Sequence, residues 1–381
     1  MDLLFDDDAQ AFRTEVRSWL DENVPAQPLP SMDTAEGFEA HRAWEAKMAD
    51  ARMSVVSWPV EYGGRDVPLL HWVIFEEEYY RSGAPGRVSQ NGIFLLAPTL
   101  FEHASKEQLD KIMPRMARAD DIWGQAWSEP ESGSDLASLR STATRTEGGW
   151  LLNGQKTWIS NAAIASSILL IARTERTDKK HEGITQFHVP AGTPGLKIVP
   201  IETLGGREQN DLYFTDCFIP DEYVVGQVNQ GWWQLMAGLK TERLILGAMQ
   251  LGLAQRSFDD TLKFITERKQ FGRPVGTFQA LRHRMADHAT EIECTKLLVY
   301  NLAFKADANP TKMYPREASM VKLKATEVSK AMTIDGMQMM GGYSYTKEFD
   351  AEHLMRSAII STVYGGTNEI QRDIIGKTYG L

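Results

Sequence analysis

The stretch QLMAGLKTERLILGAMQLGL, residues 234–253, carries the strongest folding instruction in the chain. Leu235, Leu239, Leu246, Met249 and Leu253 recur at steps of four, seven, three and four, one stripe of an α-helix committed to a core. The position missing from that stripe, seven after Leu235 and four before Leu246, is Glu242. An ionised carboxylate on an apolar face is costly, so it is protonated, paired or in use. A pair with Arg243, or with a neighbouring helix, is the structural reading; acid–base chemistry is the functional one.

The other elements frame this helix. Residues 1 to about 120 read as helices, opening with Asp6–Asp8 at a helix start and the stripe Phe12, Val16, Trp19, Leu20. Further helical patterns run over Glu36–Arg52, Leu69–Arg81 and Gly92–His103, with a short one before Pro114. Near Asp121 the texture changes: Asn153-Gly154 between apolar flanks is a hairpin signal, and SSILLIAR, GITQFHVP, GLKIVPI and DLYFTDCFIP are short and β-rich. From Gly231 the patterns are helical again and long: Gly231–Arg268, Thr277–Ala308, Pro315–Met340, and a final pair from Asp350 to Lys377. The expected architecture is α+β and multidomain: a helical domain over 1–121, a small β-barrel or sandwich over 122–229, and a helical bundle over 230–381.

A chain of 381 residues with a net charge of −10 argues against nucleic acid and anionic membrane as partners. Two cysteines, Cys217 and Cys294, without metal-ligand spacing imply a reducing compartment and neither disulfide nor metal site. No apolar run approaches a membrane span, and the acid-rich start is unlike a signal or transit peptide, so the expectation is a cytoplasmic protein or a processed matrix one.

Five segments could carry chemistry. AWSEPESGSDLAS (Ala126–Ser138) is rich in small residues and hydroxyls that let a planar ring or phosphate approach the backbone; alone it is a Ser-rich turn. TWISN (Thr157–Asn161) puts Trp158 and Ser160 at strand spacing. ERKQFGRP (Glu267–Pro274) sets Arg268, Lys269 and Arg273 at a helix end, for phosphate or for the helix dipole. MQMMGGYSY (Met337–Tyr345) reads as core methionines with a glycine cap, and VYGGTNEIQR (Val363–Arg372) as a glycine turn into a helix capped by Thr367 or Asn368.

In this order and on these elements, the five resemble the acyl-CoA dehydrogenase family over essentially the whole chain, from EYGG to YGGTNEIQR. Trp127 is a minor departure from a usually aliphatic position. The resemblance implies a helical N-terminal domain, a middle β-barrel and a C-terminal four-helix bundle. It implies FAD bound between the last two domains of one subunit and the bundle of a neighbour, hence a homotetramer, or a heterotetramer. By position, Trp127 and Ser128 would line the pyrimidine end of the flavin, and Ser134 would lie near phosphate or thioester. Trp158 would lie against the isoalloxazine, with Ser160 near N5. Arg268, Phe271, Gln279, Gln338, Gly341 and Gly342 would hold the pyrophosphate and adenine of FAD bound mainly by the neighbour. Thr367 and Glu369 would sit beside the cofactor, while Arg243 and Tyr364 would flank the substrate.

Many members of that family carry their base as a glutamate in YEGT; here the chain reads Tyr364-Gly365-Gly366-Thr367. In the isovaleryl-, long-chain- and bulky-substrate branches the base comes instead from an Glu-Arg pair on the first bundle helix, which here is Glu242-Arg243. The resemblance therefore implies α,β-dehydrogenation of an acyl-CoA in lipid metabolism, with Glu242 as base, the Gly365 N–H on the thioester carbonyl, and electrons passed to an electron-transfer flavoprotein. Two other readings stay open: a flavin oxidase or monooxygenase of the same fold, and a companion subunit that has lost its base at Gly365.

Overall fold

The computed structural model describes residues 5–381, apart from the side chains of Ala237, Leu239 and Lys240. Five helices open the chain: α1 (Asp7–Asn23), α2 (Ala35–Asp50), α3 (Leu69–Ser82), α4 (Ala97–His103) and α5 (Lys106–Ala117). Eight strands follow: β1 (Trp123–Ala126), β2 (Thr142–Thr146), β3 (Gly149–Lys156), β4 (Ser167–Arg173), β5 (Ile184–Pro190), β6 (Leu196–Thr203), β7 (Gly206–Pro220) and β8 (Val224–Val225). Then come α6 (Gly231–Glu267), a two-residue hairpin of β9 (Lys269–Gln270) and β10 (Arg273–Pro274), α7 (Gln279–Ala308), α8 (Pro315–Met340), α9 (Ala351–Ser361) and α10 (Asn368–Lys377). The chain divides into two compact units, one of residues 27–66 and 85–241, the other of residues 1–26, 67–84 and 242–381.

The first unit is built on one sheet ordered β6-β7-β3-β2-β4-β5-β8, with β1 parallel to β4. The sheet is open rather than the closed barrel expected from the sequence: β6 and β8 end the path. The path is narrowest between β2 and β4, which share a single register pair, Thr142–Arg173. Trp150, Leu152, Ile168, Leu170, Phe187, Leu212 and Phe214 form one core, with the Trp150 and Phe187 rings edge to face at 5.7 Å.

Asn153-Gly154 does not turn the chain. The β2–β3 turn is taken one step earlier, by Glu147 and Gly148, and β3 runs through Asn153-Gly154 with a bulge against β7. A Cβ on Gly154 would come 2.4 Å from Ser141 Oγ, so glycine is required at the bulge. Asn153 and Asp216 exchange two hydrogen bonds of 2.9 Å across it. Nor does Pro114 end its helix: α5, started by a Ser105–Gln108 capping box, continues to Ala117.

In the second unit, α8 packs against α7, α9 and α10, and α3 packs against both α1 and α7. The Asp307 carboxylate of α7 accepts from the Leu69 and Leu70 N–H groups at 2.9 and 2.8 Å and so caps α3. Buried Arg13 of α1 donates to Glu77 and Glu78 of α3 at 3.0 and 2.7 Å. Among the described residues no helix is long and apolar enough to cross a membrane, and no group of three His, Cys, Asp or Glu could hold a metal ion. Cys217 and Cys294 are free thiols.

Candidate active site

Leu235, Leu246, Met249 and Leu253 are all buried, as the stripe requires; the Leu239 side chain lies outside the described residues. Glu242 on the same face is 6% exposed. Its carboxylate makes no hydrogen bond or ion pair among the described residues, and burial pushes its pKa from the ordinary 4.5 up to about 7, against the opposing charges of Arg243 and Lys322. Arg243 is half-buried, and its Nε has no partner among the described residues.

Facing this acid is the Gly365-Gly366 turn. Both glycines have left-handed backbone, φ +65° and +79°, and a Cβ built on Gly365 would lie 3.3 Å from Glu242 Oε1 and 3.9 Å from Leu246 Cδ1. The two candidate base positions, 242 and 365, thus meet at one point. The turn is fixed from behind: the buried Gln371 amide donates to the Gly365 and Gly366 carbonyls at 3.1 and 2.9 Å, and Thr367 Oγ1 caps α10 by accepting from Ile370 N–H at 3.3 Å. The Gly365 N–H makes no hydrogen bond among the described residues. Tyr364 is 38% exposed; Glu369, in the first turn of α10, is exposed and held ionised by its backbone N–H and Thr367.

At another end of this unit the Lys269–Pro274 hairpin turns through Phe271 and Gly272 at φ +52° and +77°, mirror-image turn geometry that an aromatic residue rarely adopts. Phe271 is 92% exposed. Arg268, Gln279, Gln338, Gly341 and Gly342 are also exposed, and Arg268 lies 5.2 Å over the ring of Tyr343, next to the Gly341-Gly342 cap. Phe271→Gly should relieve left-handed strain of about 1 kcal/mol and raise the melting temperature. Thermal unfolding of the parent and the variant checks the sign.

The sheet unit carries the remaining segments. Trp158 is 61% exposed and left-handed at φ +60°. Its segment is clamped on both sides: Thr157 N–H donates to the Ser128 carbonyl at 3.0 Å, and the Ile159 and Asn161 N–H groups donate to Asn210 and Glu208 carbonyls at 3.0 and 2.7 Å. Ser160 Oγ pairs with the Gln209 amide at 3.0 Å. Trp127 is half-buried against Leu139, Ile171, Ile184 and Leu235, with an indole N–H that finds no partner among the described residues, and Ser134 is exposed.

Beneath the Ser-rich loop lies an interaction that the sequence reading passed over. Lys156, fully buried, donates to Glu129 Oε1 at 2.8 Å and to the Trp127 carbonyl at 3.0 Å. Glu129 also accepts from the N–H groups of Arg140 and Ser141 at 2.6 and 2.9 Å. Burial draws Lys156 down to about 8; burial also opposes ionisation of Glu129, but the Lys156 charge wins and its pKa falls below the ordinary value.

Residues 6–120, 124–217 and 229–380 match, in order, the acyl-CoA dehydrogenase N-terminal, middle and C-terminal domains. The chain belongs to the acyl-CoA dehydrogenase family. It is 32% identical to isovaleryl-CoA dehydrogenase of Solanum tuberosum, covering 98% of this chain and 91% of that one. It is 33% identical to acyl-CoA dehydrogenase IpdE1 of Mycolicibacterium smegmatis, covering 97% of each. The crystal structure of acyl-CoA dehydrogenase from Geobacillus kaustophilus superposes with a TM-score of 0.87 at 28% identity over 99% of both chains.

As a member of this family the chain is an FAD-dependent oxidoreductase acting on an acyl-CoA in fatty acid metabolism. Its own residues fit a flavin. Trp158 offers an exposed flat ring held at a cost in backbone strain, Trp127 keeps an indole donor unsatisfied among the described residues, and a Cβ built on Gly341 or Gly342 would meet nothing within 4 Å among the described residues beyond its own chain neighbours.

Proposed function

We propose that this acyl-CoA dehydrogenase uses Glu242 as the base that takes the α-proton of the thioester substrate, giving a trans-2-enoyl-CoA. One observation carries the reading: a buried acid without a hydrogen-bond partner among the described residues points at a glycine turn, 3.3 Å from where a side chain on residue 365 would begin. FAD, when bound, supplies the acceptor for the two electrons that leave with the β-hydrogen. Burial keeps Glu242 basic enough to take a carbon-bound proton near neutral pH. The α-proton is too weakly acidic for a carboxylate alone, so the charge building on the thioester oxygen must be met. The free Gly365 N–H, presented by a turn that Gln371 holds in place, is the donor for it. Lacking a side chain, Gly365 leaves volume beside the α-carbon for a branched or cyclic acyl group. Arg243 and Tyr364 flank that space, and Ser134 contacts the phosphate or thioester end.

Trp127, Ser128, Trp158 and Ser160 take the flavin ring, with Thr367 and Glu369 beside it. Arg268, Phe271, Gln279, Gln338, Gly341 and Gly342, all but useless to an isolated chain at their exposure, take the pyrophosphate and adenine of FAD held mainly by a neighbouring subunit. The functional particle is a homotetramer, and an electron-transfer flavoprotein reoxidises it. Light scattering should give a multiple of the 42.8 kDa chain mass, and assembly should rise with FAD. A mass of one chain with flavin tightly bound would contradict this assignment.

A further inference from the structure

A second buried charge stands near the base and has no acid of its own. Lys322 of α8 is fully buried. Its ammonium donates to Asn368 Oδ1 at 2.9 Å and forms no ion pair within 4.0 Å among the described residues. Asn368 is 4% exposed and is itself fixed: its Oδ1 also accepts from Thr326 Oγ1 at 3.1 Å, and its N–H donates to the Thr362 carbonyl at 3.0 Å. Asn368 is the first residue of α10, two positions beyond the Gly365-Gly366 turn. A buried cation whose one hydrogen-bond partner among the described residues is a neutral amide is costly unless a negative charge develops within its reach.

From this arrangement, and on the reading of Glu242 as the base, we infer that Lys322 is a positioning residue for the reaction: through Asn368 it fixes the glycine turn, and its charge balances the ionised Glu242. The groups facing the two are few. Glu242 feels Arg243 from its own helix and Lys322 from α8; Lys322 feels Glu242 and Arg243, then Glu369 of α10 and Glu327 of α8. Arg243 already stands beside Glu242 along α6, so Lys322 is the cation that ties the acid to the opposite side of the site. When Glu242 gains the proton, one negative charge disappears and the Lys322–Asn368 hydrogen bond holds the ammonium in place.

The test measures reduction of the FAD of the purified holoenzyme by a saturating acyl-CoA under anaerobic conditions, across pH. Lys322→Met removes the charge at similar volume; it should move the midpoint of the rate–pH curve up by about one unit, the scale of one buried charge. At pH 7 the rate should fall roughly five- to tenfold, an effect that vanishes at high pH. Lys322→Arg should keep the parental midpoint. Should Lys322→Met not retain FAD, Asn368→Asp keeps the lysine but pairs its charge, and the midpoint should rise likewise. A midpoint unmoved in whichever variant folds, with only a lowered melting temperature, overturns the inference. The base assignment has a separate readout: a Glu242→Gln holoenzyme at full rate sinks that assignment, whereas a dead Glu242→Gln beside an unshifted Lys322→Met sinks only the role of Lys322.

Discussion

Glu242→Gln should lower turnover by roughly two to four orders of magnitude, about 3–5 kcal/mol in the barrier, the usual contribution of a positioned general base. Volume is preserved, so FAD content and acyl-CoA binding should survive. The parent enzyme should lose activity as pH falls through about 7, where burial sets the protonation of Glu242, and that limb should be missing from the residual rate of the variant. Stability should change with the opposite sign from that of a structural acid. In the unfolded chain the carboxyl releases its proton near its ordinary 4.5, in the folded chain near 7. The folded state therefore holds a proton that the unfolded state has lost, and stability falls as pH rises between those values. At about 1.4 kcal/mol per pH unit, the loss is of order 3 kcal/mol above pH 7. Glutamine carries no such penalty, so the variant should melt higher than the parent at pH 8. An acid that served only to pair with Arg243 would instead melt lower when replaced. Adding Gly365→Glu to Glu242→Gln should return part of the rate, held back by the left-handed backbone at residue 365.

Lys156→Met should be the most damaging change in the sheet unit. It strips the cation from a pair buried on both sides and leaves Glu129 with two backbone N–H donors. Removing one partner of such a pair costs about 3–5 kcal/mol, because the charge left behind stays out of water. Lys156 also holds the Trp127 carbonyl, so the Ser-rich loop should loosen and flavin should dissociate more readily. Denaturant unfolding and the ratio of flavin to protein absorbance test the two halves. Intact flavin content with a stability loss below about 1 kcal/mol, the range of an exposed pair, would refute the bracing role.

Strong periodicity made the bundle legible. Pro315–Met340 forms one helix over the range its pattern marks, and Glu242 declares itself as the gap in an apolar stripe. The same argument applied to α8 would have found Lys322, which interrupts the buried run Ala318, Ala325, Ser329, Met332 in the same way. Glu129 was hidden because an acid in a Ser-rich loop looks solvated, and its partner Lys156 arrives from a strand end 27 residues later. Asn153-Gly154 misled because the pair that favours a tight turn also favours a bulge, and only the pairing of β3 with β7 decides between them. The open sheet was equally out of reach, since residue type does not say whether the end strands β6 and β8 pair with each other. The left-handed backbone at Trp158 and Phe271 has no signature in residue type at all.

Rapid anaerobic mixing of the FAD-loaded enzyme with a panel of acyl-CoA thioesters, isovaleryl-CoA among them, follows a single reduction at the flavin absorbance. The parent should bleach rapidly with at least one branched member of the panel, and Glu242→Gln, equally loaded with FAD and equally able to bind that thioester, should bleach at least about a hundredfold more slowly. Bleaching by Glu242→Gln at the parental rate would contradict the account.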